Sequence, residues 1–242
     1  MKVLALCGTS GGGRFGSALS GALPPGALIF VCSRVSSDDF ARDVLPASVE
    51  VVPTLLVTPE GEIDVEDFRA RQTSLLVSRV RYDGSRRAAP NPTVLTVLEE
   101  PTLIAIIICP CDPVLDIDPI LSIPGIRDAL RRSDAPVIAV SPLIAGKATD
   151  TANVTLLHAL GIGTTAASIC DHYEDFIDAM VFDNQDQEEA DKVEVPVAIT
   201  KISMSDDADG LILANYILDF ARRMAILTGT SNNGDFGLRW VA

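Results

Sequence analysis

The feature that most limits how this chain folds is a pair of short, almost wholly apolar runs with a single helical stretch between them. Residues 103–109 (LIAIIIC) are too short for an ordinary helix and carry no polar face, as a strand buried on both sides requires. Residues 136–140 (PVIAV) repeat the pattern. Between them Pro124 and Gly125 open IRDALRRS, where Ile126, Ala129 and Leu130 recur at helical spacing and Arg131 and Arg132 complement the C-terminal dipole. Strand, loop, helix, strand, loop is the repeat unit of a parallel sheet, so the expected class is α/β. Ligands of such sheets bind beyond the carboxyl ends of the strands, which puts the loops 110–119 and 141–147 on one site. The second loop offers the Ser141 hydroxyl, backbone amides and the Lys147 cation, a set suited to phosphate oxygens.

The start of the chain fits the same plan. Residues 2–7 read as a strand, Gly8-Thr9-Ser10-Gly11-Gly12-Gly13 as a tight turn, and RFGSALSGAL as the helix that follows. Strand, glycine turn and helix point unpaired amides at an anion, or simply pack closely; both readings stand on the residues alone. No Gly-Lys-Ser/Thr closes the turn and no G-x-G-x-x-G is present, so neither the P-loop nor the dinucleotide fingerprint applies. Residues 27–32 form a second strand, and Asp38 and Asp39 follow it. Adjacent carboxylates there are hard oxygen ligands suited to magnesium, or caps of the next helix. A nicotinamide oxidoreductase would need an acidic residue at the end of the second strand, and Cys32-Ser33-Arg34 supplies none.

Further on, residues 59–62 read as a hairpin-like turn, 64–71 as amphipathic, 75–82 as a half-exposed strand, 85–92 as a surface loop and 93–100 as a short helix. Residues 156–160 complete a helix stopped by Gly161 and Gly163, 179–182 and 195–199 are strands, and the acidic segment 183–191 between them is a solvated loop and helix. Asp206 caps a long amphipathic helix through residue 227. This gives one domain, 1–228, and a C-terminal tail, 229–242, that is either flexible or packs Trp240 on a neighbour.

The net charge of −14 excludes a nonspecific nucleic-acid surface. No apolar run approaches the roughly 18–20 residues that span a bilayer, and MKVLALCG reads as a strand rather than a signal peptide, so the expected setting is cytoplasmic. Five cysteines, an odd number, indicate reduced thiols. Cys7, Cys32, Cys109 and Cys170 fall in apolar or helical runs, whereas Cys111 lies in the site loop. His158 reads as helix packing and His172 as support for other groups.

Several blocks also carry a family likeness. CPCDPVLDIDPILSIPGIRDAL followed by APVIAVSPLIAGK resembles the CPSNP…SIGPILAVPGIRDAL…PVVAVSPIVGGK signature of the 2-phospho-L-lactate transferase family of coenzyme F420 biosynthesis, and LGIGTTAASICDHYEDFIDAMVFDNQD continues the likeness. CGTSGGGRF is similar to the family's AGGVGGARF, and Asp38-Asp39-Phe40 to its NTGDDF. The resemblance implies a three-layer α/β/α Rossmann-like domain with a mainly parallel sheet. It implies a transferase joining a phospholactyl or phosphoenolpyruvyl group from a guanylyl-activated donor to a deazaflavin alcohol, with release of GMP, and working as a homodimer.

On that resemblance Asp38, Asp39 and Lys147 are catalytic and Asp38 and Asp39 hold Mg2+. Gly8, Gly11, Gly12, Gly13, Arg14, Cys111, Asp112, Pro113, Ser141, Pro142 and Gly146 bind substrate. The chain departs from the pattern in places. A block after the DDF motif is absent, Val49 and Glu50 stand at two expected aspartates, Asp112 replaces Asn, and the KGP turn after Lys147 is gone. The rival expectation, on the same departures, is a nucleotide- or nucleotide-sugar-binding regulator like the related gluconeogenesis factors, or an inactive member of the family.

Overall fold

A computed structural model describes residues 1–8, 13–33, 43–71, 75–149, 153–230 and 239–241, with side chains up to 226. Eight strands form the central sheet: β1 (Lys2–Cys7), β2 (Leu28–Cys32), β3 (Val44–Pro46), then β7 (Leu103–Ile108), β8 (Val137–Val140), β11 (Ala179–Asp183), β12 (Val197–Thr200) and β13 (Arg239–Val241). The strands numbered between these lie outside this sheet. Every neighbouring pair is parallel, in the order β13-β12-β11-β8-β7-β1-β2-β3. The run 103–109 is thus a central strand: Ile106, Ile107 and Ile108 are at most 1% exposed. Burial of each such side chain is worth about 1.5–3 kcal/mol.

Helices flank the sheet, giving the expected three-layer α/β/α architecture. They are α1 (Gly13–Ala22), α2 (Val65–Arg71), α3 (Pro92–Leu98), α4 (Asp118–Leu121), α5 (Ile126–Arg132), α6 (Val154–Ala159), α7 (Ala166–Tyr173) and α8 (Asp207–Thr230). Asp206 accepts the Asp209 amide at 2.9 Å and so starts α8 as its sequence implies. α1 packs closely on α8, where a Cβ on Gly210 would come within 3.0 Å of the Ala18 Cβ. The segment between β3 and α3 makes a separate antiparallel sheet in the order β5-β4-β6, from β4 (Thr54–Thr58), β5 (Gly61–Asp64) and β6 (Arg79–Tyr82). β9 (Leu143–Ile144) and β10 (Lys147–Ala148) form a small hairpin.

The topology places the site. From β1 the chain steps to β2 and β3, then returns to the other flank of β1 as β7 and proceeds outward. The direction of winding reverses between β1 and β7, and beyond their carboxyl ends lies the crevice at which sheets of this type bind ligands.

Three local readings need correction. The loop expected at 110–119 contains a turn of π-helix, Pro113–Ile117, because the Asp112 side chain caps it. The acidic segment after β11 is not simply solvated: Asp183 is 3% and Asp186 6% exposed, each accepting backbone amides. Within the expected tail, residues 239–241 pair with β12 as a strand of the main sheet.

Candidate functional site

The crevice is built from the first residues beyond β1 and β7. The Gly8 amide donates to the Cys111 Sγ at 3.5 Å, joining the two strand ends. Gly8 has no room for a side chain, since a Cβ there would lie 2.7 Å from the Asp116 Oδ1. Asp112 is fully buried: its Oδ1 accepts the Val114 and Leu115 amides at 2.9 and 2.8 Å, and its Oδ2 accepts the Asn153 amide at 2.7 Å. Burial pushes the Asp112 carboxyl up to about 7, against the pull of the three amides. The Asp112 side chain, expected to bind substrate, is engaged on both oxygens within the chain and ties the β7 loop to the start of α6. An Asn could cap the turn through one oxygen, but its amide nitrogen could not accept from Asn153.

Asp116, 1% exposed, is held on both oxygens. Arg69 of α2 donates to Oδ1 at 2.7 Å, and the Asp112 amide donates to Oδ2 at 3.2 Å. Burial weighs against the Arg69 charge, but the attraction and hydrogen bond of Asp116 outweigh it and hold the guanidinium more firmly protonated than usual. Two residues on, Asp118 meets the His172 Nε2 at 2.9 Å, while the Tyr82 hydroxyl donates to the Val114 carbonyl at 2.8 Å and lies 3.4 Å from Asp118. Burial first, then the nearby Asp118 charge, pushes the Tyr82 phenol well up.

Four thiols crowd the same strand ends. Cys7 and Cys32 are register partners with sulfurs 3.3 Å apart, and Cys109 and Cys111 follow β7. The Cys32 hydrogen bond and then burial raise the Cys7 thiol; burial foremost raises Cys109 and Cys111. Cys7, Cys109 and Cys111, held so firmly protonated, are poor nucleophiles and act here as small apolar packing groups.

The loop beyond β8 is also internally committed. The Ser141 hydroxyl, fully buried, donates to the Leu143 carbonyl at 2.9 Å and accepts its amide at 3.1 Å. That hydroxyl, expected to meet phosphate, has its proton engaged by the Leu143 carbonyl. Pro142 is buried. Ala145 and Gly146, at φ 47° and 74°, turn the β9–β10 hairpin, and both oxygens of Asp186 accept the Ala145 amide at 3.1 Å. Lys147 stands exposed just past that turn. Arg14 donates to the Met204 carbonyl at 2.7 Å, bracing α1 against the start of α8. Pro113 is buried at the start of the π-turn. Gly13 begins α1. Gly11, Gly12, Asp38 and Asp39 lie outside the described residues. Among the described residues no three His, Cys, Asp or Glu side chains gather as a metal site.

The model of the family described as 2-phospho-L-lactate transferase CofD matches residues 32–209. The chain belongs to this family. The 2-phospho-L-lactate transferase of Halobacterium salinarum is 33% identical over 194 residues, 78% of this chain and 55% of that protein. Its counterpart from Methanothermobacter thermautotrophicus is 32% identical over 179 residues, 72% and 56% respectively. The chain spans about half the length of these curated relatives. In fold it is similar to the crystal structure of a UPF0052 family member from Bacillus halodurans, with a TM-score of 0.62 at 14% identity over 90% of this chain and 98% of that one.

Set against the CofD-family pattern SIGPIL, DIDPIL puts Asp116 at the Ser and Asp118 at the Gly. Those two substitutions were the sequence signal for the Arg69–Asp116 and Asp118–His172 pairs, which pattern reading passed over. Nothing in the local sequence singles out Arg69 from the other basic residues of its amphipathic run.

Proposed function

We propose that the chain carries out the transfer for which its relatives are named. The hydroxyl oxygen of a deazaflavin alcohol bonds to the phosphorus bearing a lactyl or enolpyruvyl group. The bond from that phosphorus to the oxygen bridging the guanylyl phosphate breaks, GMP leaves with that oxygen, and the hydroxyl proton passes to solvent. Such a reaction needs positioning and charge neutralisation rather than a covalent nucleophile, in keeping with thiols that stay protonated. The observation that carries the reading is positional: Gly8 and the two family loops follow β1, β7 and β8, three adjacent strands of one parallel sheet, on its carboxyl side.

In this reading Lys147 and backbone amides meet the diphosphate, Asp112 and Ser141 shape the loops that present them, and magnesium, with Asp38 and Asp39 as ligands, belongs to the proposal on the resemblance alone. A cytoplasmic homodimer is part of the same proposal; among the described residues no helix is long and apolar enough to cross a membrane. The test is to incubate the protein with magnesium, activated donor and deazaflavin alcohol and to look for the condensed product and GMP. Lys147→Gln should lower turnover at least about tenfold. Guanine-nucleotide binding with no condensed product would select the second reading, a nucleotide-binding regulator, which the internal engagement of Asp112 and Ser141 favours.

A further inference from the structure

Within a chain of net charge −14, four arginines fall in the nine residues RVRYDGSRR, positions 79–87. They do not form an evenly solvated face. β6 and the 3-10 turn Ser85–Arg87 fold over a cleft of about 510 Å³ whose walls include Tyr82, Gly84, Arg86, Arg87 and Ser122. That volume is in the range of small-molecule sites. Gly84, at φ 77°, makes the reversal between strand and turn, and Ser85 is buried, so the two following arginines are set on a fixed piece of backbone.

The polar groups of the cleft divide into those already satisfied and those not. Arg81 is paired with Glu62 at 2.8 Å and with Asp83, so the acidic group of the cleft is already met. The Tyr82 hydroxyl donates to the Val114 carbonyl, and the Ser122 hydroxyl to the Pro119 carbonyl at 2.8 Å. The guanidiniums of Arg86 and Arg87, both exposed, make no hydrogen bond or ion pair among the described residues. What the cleft holds open is therefore two adjacent planar cations.

We propose that this cleft is a second ligand site, for a small molecule carrying a multiply charged phosphate group. The forked donors of Arg86 and Arg87 fit phosphate oxygens, and two cations match a group bearing two or more negative charges. Tyr82 links it to the β7 loop at Val114. Ser122, in the family block after β7, lines one wall, whereas Arg86 and Arg87 lie outside the quoted family motifs.

The test uses the full chain and inorganic pyrophosphate as probe, in EDTA, by isothermal titration and by the Nε–Hε signals of the arginines. The expected result is saturable binding that shifts the Arg86 and Arg87 signals, weakens at least about tenfold in the Arg86→Gln/Arg87→Gln variant, and changes less than about twofold in Arg132→Gln. Raising the salt from about 50 to 200 mM should weaken it further. Both arginines are exposed, and an unchanged melting temperature would verify that the double variant folds. Binding that survives the double substitution in a Lys147→Gln background, where the proposed diphosphate crevice is weakened, or that leaves both arginine signals unmoved, would overturn the proposal. Neither readout depends on turnover, so a result here is independent of the transfer reaction.

Discussion

Arg69→Met isolates the pair that joins the antiparallel insert to the crevice. The Asp116 side chain is 2% exposed and that of Arg69 34%. Removing one partner of a fully buried pair costs about 3–5 kcal/mol, most of it the penalty of a charge left without a counterion. Here solvent reaches one partner, and the Asp112 amide still serves Oδ2. The expected loss is therefore smaller, about 2–3 kcal/mol. Urea unfolding at pH 7.5 would read it as a lower midpoint at unchanged slope. Replacing Asp116 with Asn in the Arg69→Met background removes the stranded charge, so the double variant should be no less stable than Arg69→Met alone. A loss under about 0.5 kcal/mol, or single losses that simply add in the double variant, would refute the idea that the pair acts as a unit.

Gly8→Ala brings a methyl within 2.7 Å of the Asp116 carboxylate and should cost about 1–3 kcal/mol in the same assay; a neutral result would mean that the contact relaxes freely. Asp112 holds its proton up to about 7 in the folded chain, against about 3.9 unfolded. The folded state therefore binds the extra proton between those values, so this site makes stability fall as pH rises from about 4 to 7 and adds no slope above that. Asp112→Asn should remove that slope while costing about 1–3 kcal/mol for the Asn153 amide left without an acceptor; an unchanged pH profile would count against the assignment. Ala145→Gly should be neutral or stabilising by up to about 1 kcal/mol, since glycine relieves a left-handed alanine, and a loss of that size would show that the hairpin tolerates alanine without strain.

The main sheet was legible because its signals are local. The run LIAIIIC, the helix IRDALRRS and the run VIAV each announce their own structure, and their succession dictates parallel strands. The Asp206 cap was legible for the same reason. What stayed hidden depended on partners far away in the chain. No local pattern announces the Asn153 amide on the second oxygen of Asp112, or the Leu143 backbone closing on the Ser141 hydroxyl. Asp186 sits in an acidic run whose composition spells solvation, yet it is drawn inward by the amide of a hairpin turn that precedes it by many residues. β3 and β13 are three residues each and carry too little pattern to be read unaided.

The placement of β1 also bears on how the chain is made. Leu4 lies between Ile29 on one flank and Ile106 on the other, so a growing polypeptide that has produced β1, β2 and β3 still lacks the strand that completes the centre of its sheet. At roughly 5–20 residues per second the ribosome leaves that apolar flank of β1 open for several seconds, through synthesis of the whole antiparallel insert. The insert is thus a timed interval during biogenesis, when the nascent chain most needs shielding from its neighbours.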